Sequence, residues 1–262
     1  MRPSQRPVVG VVVPAHDEQE LLGACLHAVR AAAGVVRGRA RVVVLVVADA
    51  CTDDTAEVAR RHGVRVLRLD ARNVGRARAT GMAALLARRE PPVWLATTDA
   101  DSVVPRGWLA AQLDARDRGA EGWVGTVAVT DWSGVPRPVR LRYRAAYDPD
   151  ADRGDPHRHV HGASLGVAAA AYRAVGGFPP YPTGEDVALV AALDRGGHRV
   201  VRDRTRPVTT SARSEGRAPD GFAGHLRALG THVVPVSPGT RTVSDHPSPR
   251  WERGSGPATR IG

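Results

Sequence analysis

The first notable absence in the sequence is lysine. All 37 basic residues of the 262-residue chain are arginine, and the only isoleucine is Ile261. Without lysine, the protein has no amine for a Schiff base with a carbonyl substrate and no amine for a phosphate-binding P-loop. Positive charge that the protein presents to a ligand must therefore come from arginine, from histidine or from a bound metal.

The sequence also lacks a concentrated run of basic residues, although its net charge is +10. Residues 1–130 hold 18 arginines against 14 acidic residues, and residues 131–262 hold 19 against 13. Aromatic residues, which nucleic-acid-binding surfaces use to stack bases, make up only 4%. This spread indicates a compositional bias rather than a nucleic-acid partner, while the positive net charge still favours anionic substrates.

Cysteines and long hydrophobic runs are scarce as well. Cys25 and Cys51 are the only cysteines, which excludes a disulfide framework and a multi-cysteine metal knuckle. The longest apolar runs, near residues 8–13 and 42–48, have the length of strands and are too short for a membrane span. The sequence therefore predicts a cytoplasmic protein with no signal peptide and no transmembrane segment. It leaves open a peripheral contact with a membrane.

What the first half of the chain contains is an alternation of strand and helix patterns. Continuous β-branched runs at residues 8–13 and 41–47 are typical of strands that are buried on both faces. Helical stretches separate the runs, and the pattern predicts four strands and four helices up to residue 118. We therefore expect an α/β fold, a single domain whose mostly parallel, Rossmann-like sheet is flanked by helices.

The second half of the chain is less regular. Its predicted elements are a strand at 123–130, a loop or partial helix at 131–158, a strand at 160–168 with a short helix after it, a helix at Glu185–Arg195 and a short strand at 198–201. Residues 236–262 are rich in proline, serine, glycine and arginine and have little to bury, so we expect a disordered tail there.

Acidic residues follow the predicted strands at the points where the strands end. Asp49 follows the second strand, and Asp99 and Asp101 follow the fourth. The carboxyl ends of parallel strands meet at one edge of an open sheet, where such folds bind ligands. Asp53 and Asp54 fit helix caps. Asp99 and Asp101, two positions apart, can instead hold Mg²⁺ or Mn²⁺ together with a substrate phosphate.

Five ordered segments carry a more specific signal: residues 11–18, 46–55, 73–81, 99–101 and 184–186. Together they resemble the motifs of family-2 glycosyltransferases of the GT-A fold, soluble and bacterial in type. In that family the first turn reads Pro-Ala-Tyr-Asn-Glu, so His16 replaces an aromatic residue and Asp17 an asparagine. The second segment has Ala48 in place of the first of two aspartates and keeps the second as Asp49.

The resemblance implies a donor that is a UDP- or GDP-sugar bound by residues 1–101, and an acceptor hydroxyl bound by residues 102–235. Asp49 would accept hydrogen bonds from the base, and Arg78 would face the diphosphate, unless it is a solvated helix arginine. The divalent metal, Mn²⁺ or Mg²⁺, would bind to Asp101 and Asp99. The other implied donor contacts are Pro14, Ala15, Glu18 and, near the ribose, Asp99.

The resemblance also implies inverting transfer, with Asp186 as the general base that takes the proton of the acceptor hydroxyl. Glu185 is the second candidate for this role, and an acidic pair at this point also suits a helix N-terminus. The implied contacts of the sugar and the acceptor are His161, Gly162 and Ser164.

Several alternatives remain at this point. Alternation puts His157, His159 and His161 on one face of a strand, but no cysteine or acid completes a zinc ligand set. His225 or His232 would complete the metal site only if the chain follows those relatives that use a late histidine. The two alternative functions are a sugar-nucleotide nucleotidyltransferase, whose Gly-rich signature near the first strand is missing, and a non-catalytic nucleotide-binding protein.

Overall fold

The computed structural model describes residues 6–130, 132, 135–146, 157 and 159–211. The strands are β1 (Val8–Ala15), β2 (Arg41–Asp49), β3 (Arg65–Leu69), β4 (Trp94–Thr97), β5 (Gly122–Val129), β6 (Leu165–Ala168) and β7 (Val200–Thr210). The helices are α1 (Leu22–Val35), α2 (Thr55–Arg61), α3 (Val74–Leu86), α4 (Trp108–Asp117), α5 (Arg137–Ala146), α6 (Ala169–Ala174) and α7 (Glu185–Arg195). A 3-10 turn at Gly162–Ser164 leads into β6.

The seven strands form one sheet in the order β3-β2-β1-β4-β6-β5-β7. Paired strands in this sheet run parallel except at β6, which is antiparallel to its neighbours β4 and β5. Every residue of β1 is buried because β1 lies between β2 and β4 and is covered on both faces. The predicted α/β fold with a mostly parallel sheet flanked by helices is confirmed.

Two hydrophobic cores cover the two faces of this sheet. Alternate residues of β1 divide between them, since Val11 and Val13 belong to one core and Val12 belongs to the other. The first core includes buried residues of α1, α2 and α4, such as the fully buried Trp108. The second includes buried residues of α3, α6 and α7, among them Leu189. The helices thereby hold the strand ends in fixed positions.

The structure corrects the prediction of a short strand at residues 198–201. That strand, β7, begins at Val200 and continues to Thr210 through a polar stretch that contains Pro207. It pairs only with β5 among the named strands and forms the edge of the sheet, where proline is tolerated because an edge strand has amides that need no partner strand. Pairing with β5, rather than an apolar pattern, defines its length.

Helix α7 has the predicted bounds, and α5 lies within the stretch predicted as a loop or partial helix. No helix of the described ranges is both long and apolar enough to cross a membrane. The predicted tail at residues 236–262 lies outside the described residues. The division of the domain into residues 1–101 and 102–235 stays a prediction.

Candidate active site

The candidate site lies at the carboxyl edge of the sheet, near the neighbouring strands β1 and β4. The next strands in the chain, β2 and β3, extend the sheet on one side of β1. Strand β4 pairs with the opposite side of β1, and the later strands extend the sheet beyond it. Such a reversal of direction leaves space at the carboxyl ends of the two strands, and open α/β sheets bind ligands there.

The loop after β4 carries Asp99 and Asp101, and the end of β7 holds this loop in place. The Ser102 hydroxyl donates to Asp101 Oδ1 at 3.1 Å and lies 3.0 Å from Thr210 Oγ1. Val103 and Thr209 exchange two backbone hydrogen bonds of 2.7 and 3.0 Å. The part of β7 that the sequence pattern missed therefore supports the loop that carries both carboxylates.

A buried arginine on α3 connects this loop to α7. Arg78 is only 3% exposed, and its guanidinium group donates through Nη2 to Asp99 Oδ1 and through Nη1 to Glu185 Oε1. Glu185 is also buried, at 2% exposure, whereas 38% of the Asp99 side chain is accessible. One cation therefore serves two carboxylates that are brought together from separate elements of the chain.

The turn at Gly162–Ser164 completes this cluster. A Cβ atom at Gly162 would collide with the guanidinium group of Arg78, so only glycine lets the turn lie over the arginine. The Gly162 amide donates to Asp186 Oδ2 at 2.6 Å, and the Val187 amide donates to Asp186 Oδ1 at 2.8 Å. These two bonds fix the Asp186 carboxylate, which stays partly accessible, beside the buried Glu185.

The charges in the cluster do not balance. The pKa of Asp99 is raised to about 6, mainly by burial and also by the neighbouring carboxylates Asp101 and Asp186, against the lowering effect of Arg78. The four carboxylates Asp99, Asp101, Glu185 and Asp186 outnumber the one arginine of this cluster, which leaves negative charge in excess there. A cation that binds there would relieve it.

A close contact between α3 and the segment before α7 brings Arg78 and Asp186 to the same place. The Gly75 amide donates to Tyr181 O at 3.1 Å, and a Cβ atom on Gly75 would lie 2.6 Å from that oxygen. Asn73 caps α3 by accepting from the Arg76 amide at 2.8 Å and also donates to Pro180 O at 3.0 Å. The start of α3 is thus attached to the loop that leads into α7.

At the end of β2, Asp49 is almost completely buried and serves the backbone of the loop before α3. Its Oδ1 accepts from the amides of Ala71 and Arg72 at 2.7 and 3.1 Å, and its Oδ2 accepts from the Asn73 amide at 2.8 Å. A carboxylate offers about four lone-pair directions, so these three bonds use most of its capacity. Asp49 therefore fixes the start of α3.

The end of β1 packs against the segment after β2. The His16 ring donates through Nδ1 to Asp49 O at 2.7 Å, and Asp17 accepts from the Thr52 amide at 2.6 Å. Asp17 has a φ of 51°, in the left-handed region where Asp and Asn are the most tolerated residues apart from glycine. The hydrogen bond from the Thr52 backbone lowers the pKa of Asp17. His16, Asp17 and Cys51 lie together here, a grouping that the sequence reasoning did not identify.

Comparison with known proteins identifies the family. The family model described as "Glycosyl transferase family 2" matches residues 10–173 of the chain, which is more than half of its length. The chain belongs to glycosyl transferase family 2. The resemblance inferred from the five motifs is confirmed, and no curated protein matches this family-2 chain by sequence.

Solved structures show that this family-2 chain has the GT-A fold of glycosyltransferases. A mannosyltransferase from Pyrobaculum calidifontis, in complex with GDP-Man and Mn²⁺, matches with a TM-score of 0.61 at 20% identity, covering 82% of this chain and 60% of that one. TarS from S. aureus, in complex with UDP-GlcNAc, matches with a TM-score of 0.58 at 14% identity, covering 84% and 65%. The chain thus spans less than two thirds of either structure.

A third solved structure is covered over most of its length. Glucosyl-3-phosphoglycerate synthase from Mycobacterium tuberculosis, in complex with Mn²⁺, UDP and phosphoglyceric acid, has a TM-score of 0.56 at 15% identity. The match covers 87% of this chain and 82% of that one. At these identities the likeness shows the fold, and the ligands belong to the solved proteins.

The structure brings most of the predicted site residues of this family-2 chain to one sheet edge. One group consists of the buried Arg78 and the residues around it: Asp99, Glu185, Asp186 and Gly162. The other group lies at the ends of β1 and β2 and consists of Pro14, Ala15, Glu18 and Asp49. Ser164, the last residue of the turn, is fully buried, and its hydroxyl accepts from Trp108 Nε1 at 3.3 Å, so its side chain faces α4 in the protein interior. His225 and His232 lie outside the described residues.

The three neighbouring histidines form a row of rings rather than a convergent ligand set. His157 and His159 stack at 6.4 Å between ring centroids, and His159 and His161 stack at 6.2 Å. His161 ends this row immediately before Gly162, next to the cluster.

The residues present fit a hard divalent cation. Asp99 and Asp101 offer the carboxylate oxygens that Mg²⁺ and Mn²⁺ prefer, and the Asp99 side chain is 38% accessible. Arg78 is already shared between Asp99 and Glu185. A divalent cation at this edge would therefore complete the charge balance.

Proposed function

We propose that the chain transfers a sugar from a nucleoside-diphosphate donor to an acceptor hydroxyl with inversion of the anomeric configuration, and that Asp186 is the general base. The observation that carries the proposal is the pair of ion pairs made by Arg78, which joins the carboxylate loop after β4 to the first turn of α7. A donor-binding carboxylate and a base are thereby held at one edge of the sheet.

The choice of Asp186 over Glu185 rests on burial and pairing. Glu185 is 2% exposed and is paired with Arg78, so an acceptor hydroxyl has no access to it. Asp186 is partly accessible, and the amides of Gly162 and Val187 orient its carboxylate. These hydrogen bonds fix the direction in which the carboxylate presents its oxygens to an acceptor hydroxyl. Glu185 then acts by keeping Arg78 in position.

In the proposed step, Asp186 takes the proton from the acceptor hydroxyl while that oxygen forms a bond to the anomeric carbon. The bond between the anomeric carbon and the diphosphate oxygen breaks, and the nucleoside diphosphate leaves with the electron pair. Attack from the face opposite the leaving group inverts the configuration. We assign His161 and the backbone of Gly162, which adjoin Asp186, contacts with the sugar or the acceptor, and we assign the buried Ser164 a structural role in the turn.

Donor binding is proposed for the ends of β1, β2 and β4. Pro14, Ala15 and Glu18 would line the base and ribose, and Asp49 would use its remaining lone pair to accept from the base. We assign Arg78 a positioning role through Asp99 rather than direct contact with the diphosphate, because its guanidinium is buried between two carboxylates.

Asp99 and Asp101 would hold the divalent metal, Mn²⁺ or Mg²⁺, against the donor. When bound, that metal neutralises the negative charge that develops on the leaving diphosphate. The structures of the mannosyltransferase and the synthase, both solved with Mn²⁺ and a nucleotide, support this assignment. The same structures and TarS support UDP or GDP as the nucleotide of the donor.

The test compares Asp186→Asn with Asp194→Asn, the same substitution near the other end of α7, where Asp194 is exposed and paired with Arg202. UDP- and GDP-sugars are first screened by thermal shift with Mn²⁺, and release of nucleoside diphosphate is then measured with a panel of hydroxyl acceptors. We expect Asp186→Asn to lower turnover by about 10²-fold or more while nucleoside-diphosphate binding is retained. Asp194→Asn should behave like the unmodified protein. Unchanged turnover in Asp186→Asn would remove Asp186 from its proposed role.

A further inference from the structure

A second group of metal-binding side chains lies at the ends of β1 and β2, apart from the Asp99 and Asp101 pair. His16 and Asp17 follow β1, and Cys51 follows the neighbouring strand β2. One potential ligand atom from each of the three lies within 4.8 Å of the other two. All three side chains are partly accessible, so an ion can reach them from solvent.

The spacing suits one tetrahedral ion. Ligands that bind Zn²⁺ at about 2.0–2.3 Å in a tetrahedral arrangement lie about 3.3–3.8 Å from one another. His16 Nε2 and Asp17 Oδ2 are 3.8 Å apart. Small rotations of side chains would bring the Cys51 sulfur to the same separation, because it is already within 4.8 Å of both.

Hydrogen bonds to the surrounding chain fix the orientation of these side chains, as hydrogen bonds from outside the ligand set do for the ligands of zinc sites. The His16 ring donates through Nδ1 to Asp49 O at 2.7 Å, which makes Nε2, on the side of Asp17, the nitrogen with the lone pair. The Thr52 amide, at 2.6 Å, and the Thr52 hydroxyl, at 3.2 Å, hold the Asp17 carboxylate. The Asp17 amide points to Cys51 Sγ at 3.5 Å, a contact that favours a thiolate.

We propose that His16, Asp17 and Cys51 form a site for a zinc-type transition-metal ion, with water as the fourth ligand. A thiolate and an imidazole select Zn²⁺ or Co²⁺ over Mg²⁺ and Mn²⁺, which prefer all-oxygen sites. The site is therefore chemically distinct from the hard-cation pair Asp99 and Asp101. It also does not depend on the proposed transfer reaction.

Binding exchanges a proton for the metal. Burial raises the pKa of the Cys51 thiol, so without metal the sulfur carries its proton. When the ion binds, the sulfur–metal bond forms, the sulfur–hydrogen bond breaks, and the proton passes to solvent. No oxidation state changes in this step.

The test titrates the metal-free full chain with Co²⁺, whose bond to a thiolate gives a charge-transfer absorption in the near ultraviolet. Because the chain has only two cysteines, Cys51→Ser and Cys25→Ser assign the sulfur. Cys25 is fully buried and its thiol lies against Asp99 O at 3.3 Å, a hydrogen bond that serine can make, so Cys25→Ser is the matched control. Thermal unfolding verifies that both variants fold.

We expect one equivalent of Co²⁺ to bind with the thiolate band, Zn²⁺ to displace it, and a large excess of Mg²⁺ to leave it unchanged. Cys51→Ser should abolish the band, Cys25→Ser should retain it, and His16→Ala should weaken binding by at least about tenfold. A band that persists in Cys51→Ser, binding without any thiolate band, or displacement by Mg²⁺ would each overturn the proposal.

Discussion

The carboxylates at the end of β2 and those at the end of β4 lie on the same sheet edge but are compensated in opposite ways. Asp49 is surrounded by backbone amides, which leave it a structural anchor for the loop before α3. Asp99 shares one buried arginine with Glu185 and faces the further carboxylates Asp101 and Asp186. In the first region, backbone amides compensate the charge of Asp49. In the second region, four carboxylates face one arginine, and a bound cation can compensate the remaining negative charge.

The largest expected effect comes from removing the cation of the β4 region. Arg78→Met would leave Glu185 buried without a partner charge and would also release Asp99, so we expect a loss of about 3–5 kcal/mol in the free energy of unfolding. Arg76→Met, on the exposed side of the same helix, should change it by less than about 0.5 kcal/mol. Urea unfolding at pH 7 measures both. Equal effects of the two variants would contradict the structural role of Arg78.

A smaller effect is expected in the β2 region. Asp49→Asn keeps one acceptor oxygen but turns an NH₂ group toward an amide of the 71–73 loop, which costs about 1–3 kcal/mol of stability. Asp54→Asn, an exposed neighbour at the start of α2, serves as the matched control and should stay within about 0.5 kcal/mol. The same unfolding measurement applies. A neutral Asp49→Asn would show that the amide contacts do not anchor the loop.

The smallest expected effect is on the pH dependence of stability. Its sign differs between Asp17, which is bonded to the segment after β2, and Asp99, which follows β4. The amide of Thr52 lowers the pKa of Asp17, so the Asp17 carboxylate stabilises the fold above its unfolded pKa of about 3.9, and this contribution disappears as the pH falls through the lowered value. Asp99, with its raised pKa, changes in the opposite direction: its contribution is present at low pH and is lost as the pH rises through about 6.

Asp17→Asn isolates the first of these contributions, because asparagine also tolerates the positive φ at this position. We expect the variant to be less stable than the unmodified protein by about 0.5–1.5 kcal/mol at pH 7 and the difference to shrink as the pH falls below about 3.9. Urea unfolding at a series of pH values gives the difference directly. A difference that grew toward low pH would contradict the sign.

The sequence predicts this edge of the sheet well where the signal is local. A buried apolar strand followed at once by Asp99 and Asp101, or by Asp49, indicates both the strand and its polar end. The bounds of α7 were also predictable, since Gly184 and an acidic pair precede its apolar positions. The arrangement of the motifs along the chain pointed to the family that the comparisons confirm.

What the sequence could not predict depends on contacts between distant parts of the chain. Arg78 reads as a solvated or phosphate-facing arginine because its partner Glu185 is 107 positions away. The polar second half of β7 is a strand only because β5 pairs with it. His16 and Cys51 gave separate, weak signals, and only the pairing of β1 with β2 brings them together.

The contact between Gly162 and Arg78 has a consequence for how this sequence can change. Adding even one methyl group at position 162 would push on the arginine, and a shorter residue at position 78 would make room but give up both ion pairs. A single substitution at either position is therefore unfavourable, and changing both together removes the two ion pairs that hold Asp99 and Glu185. The two sites therefore constrain each other, so sequence drift at either one is blocked by the other.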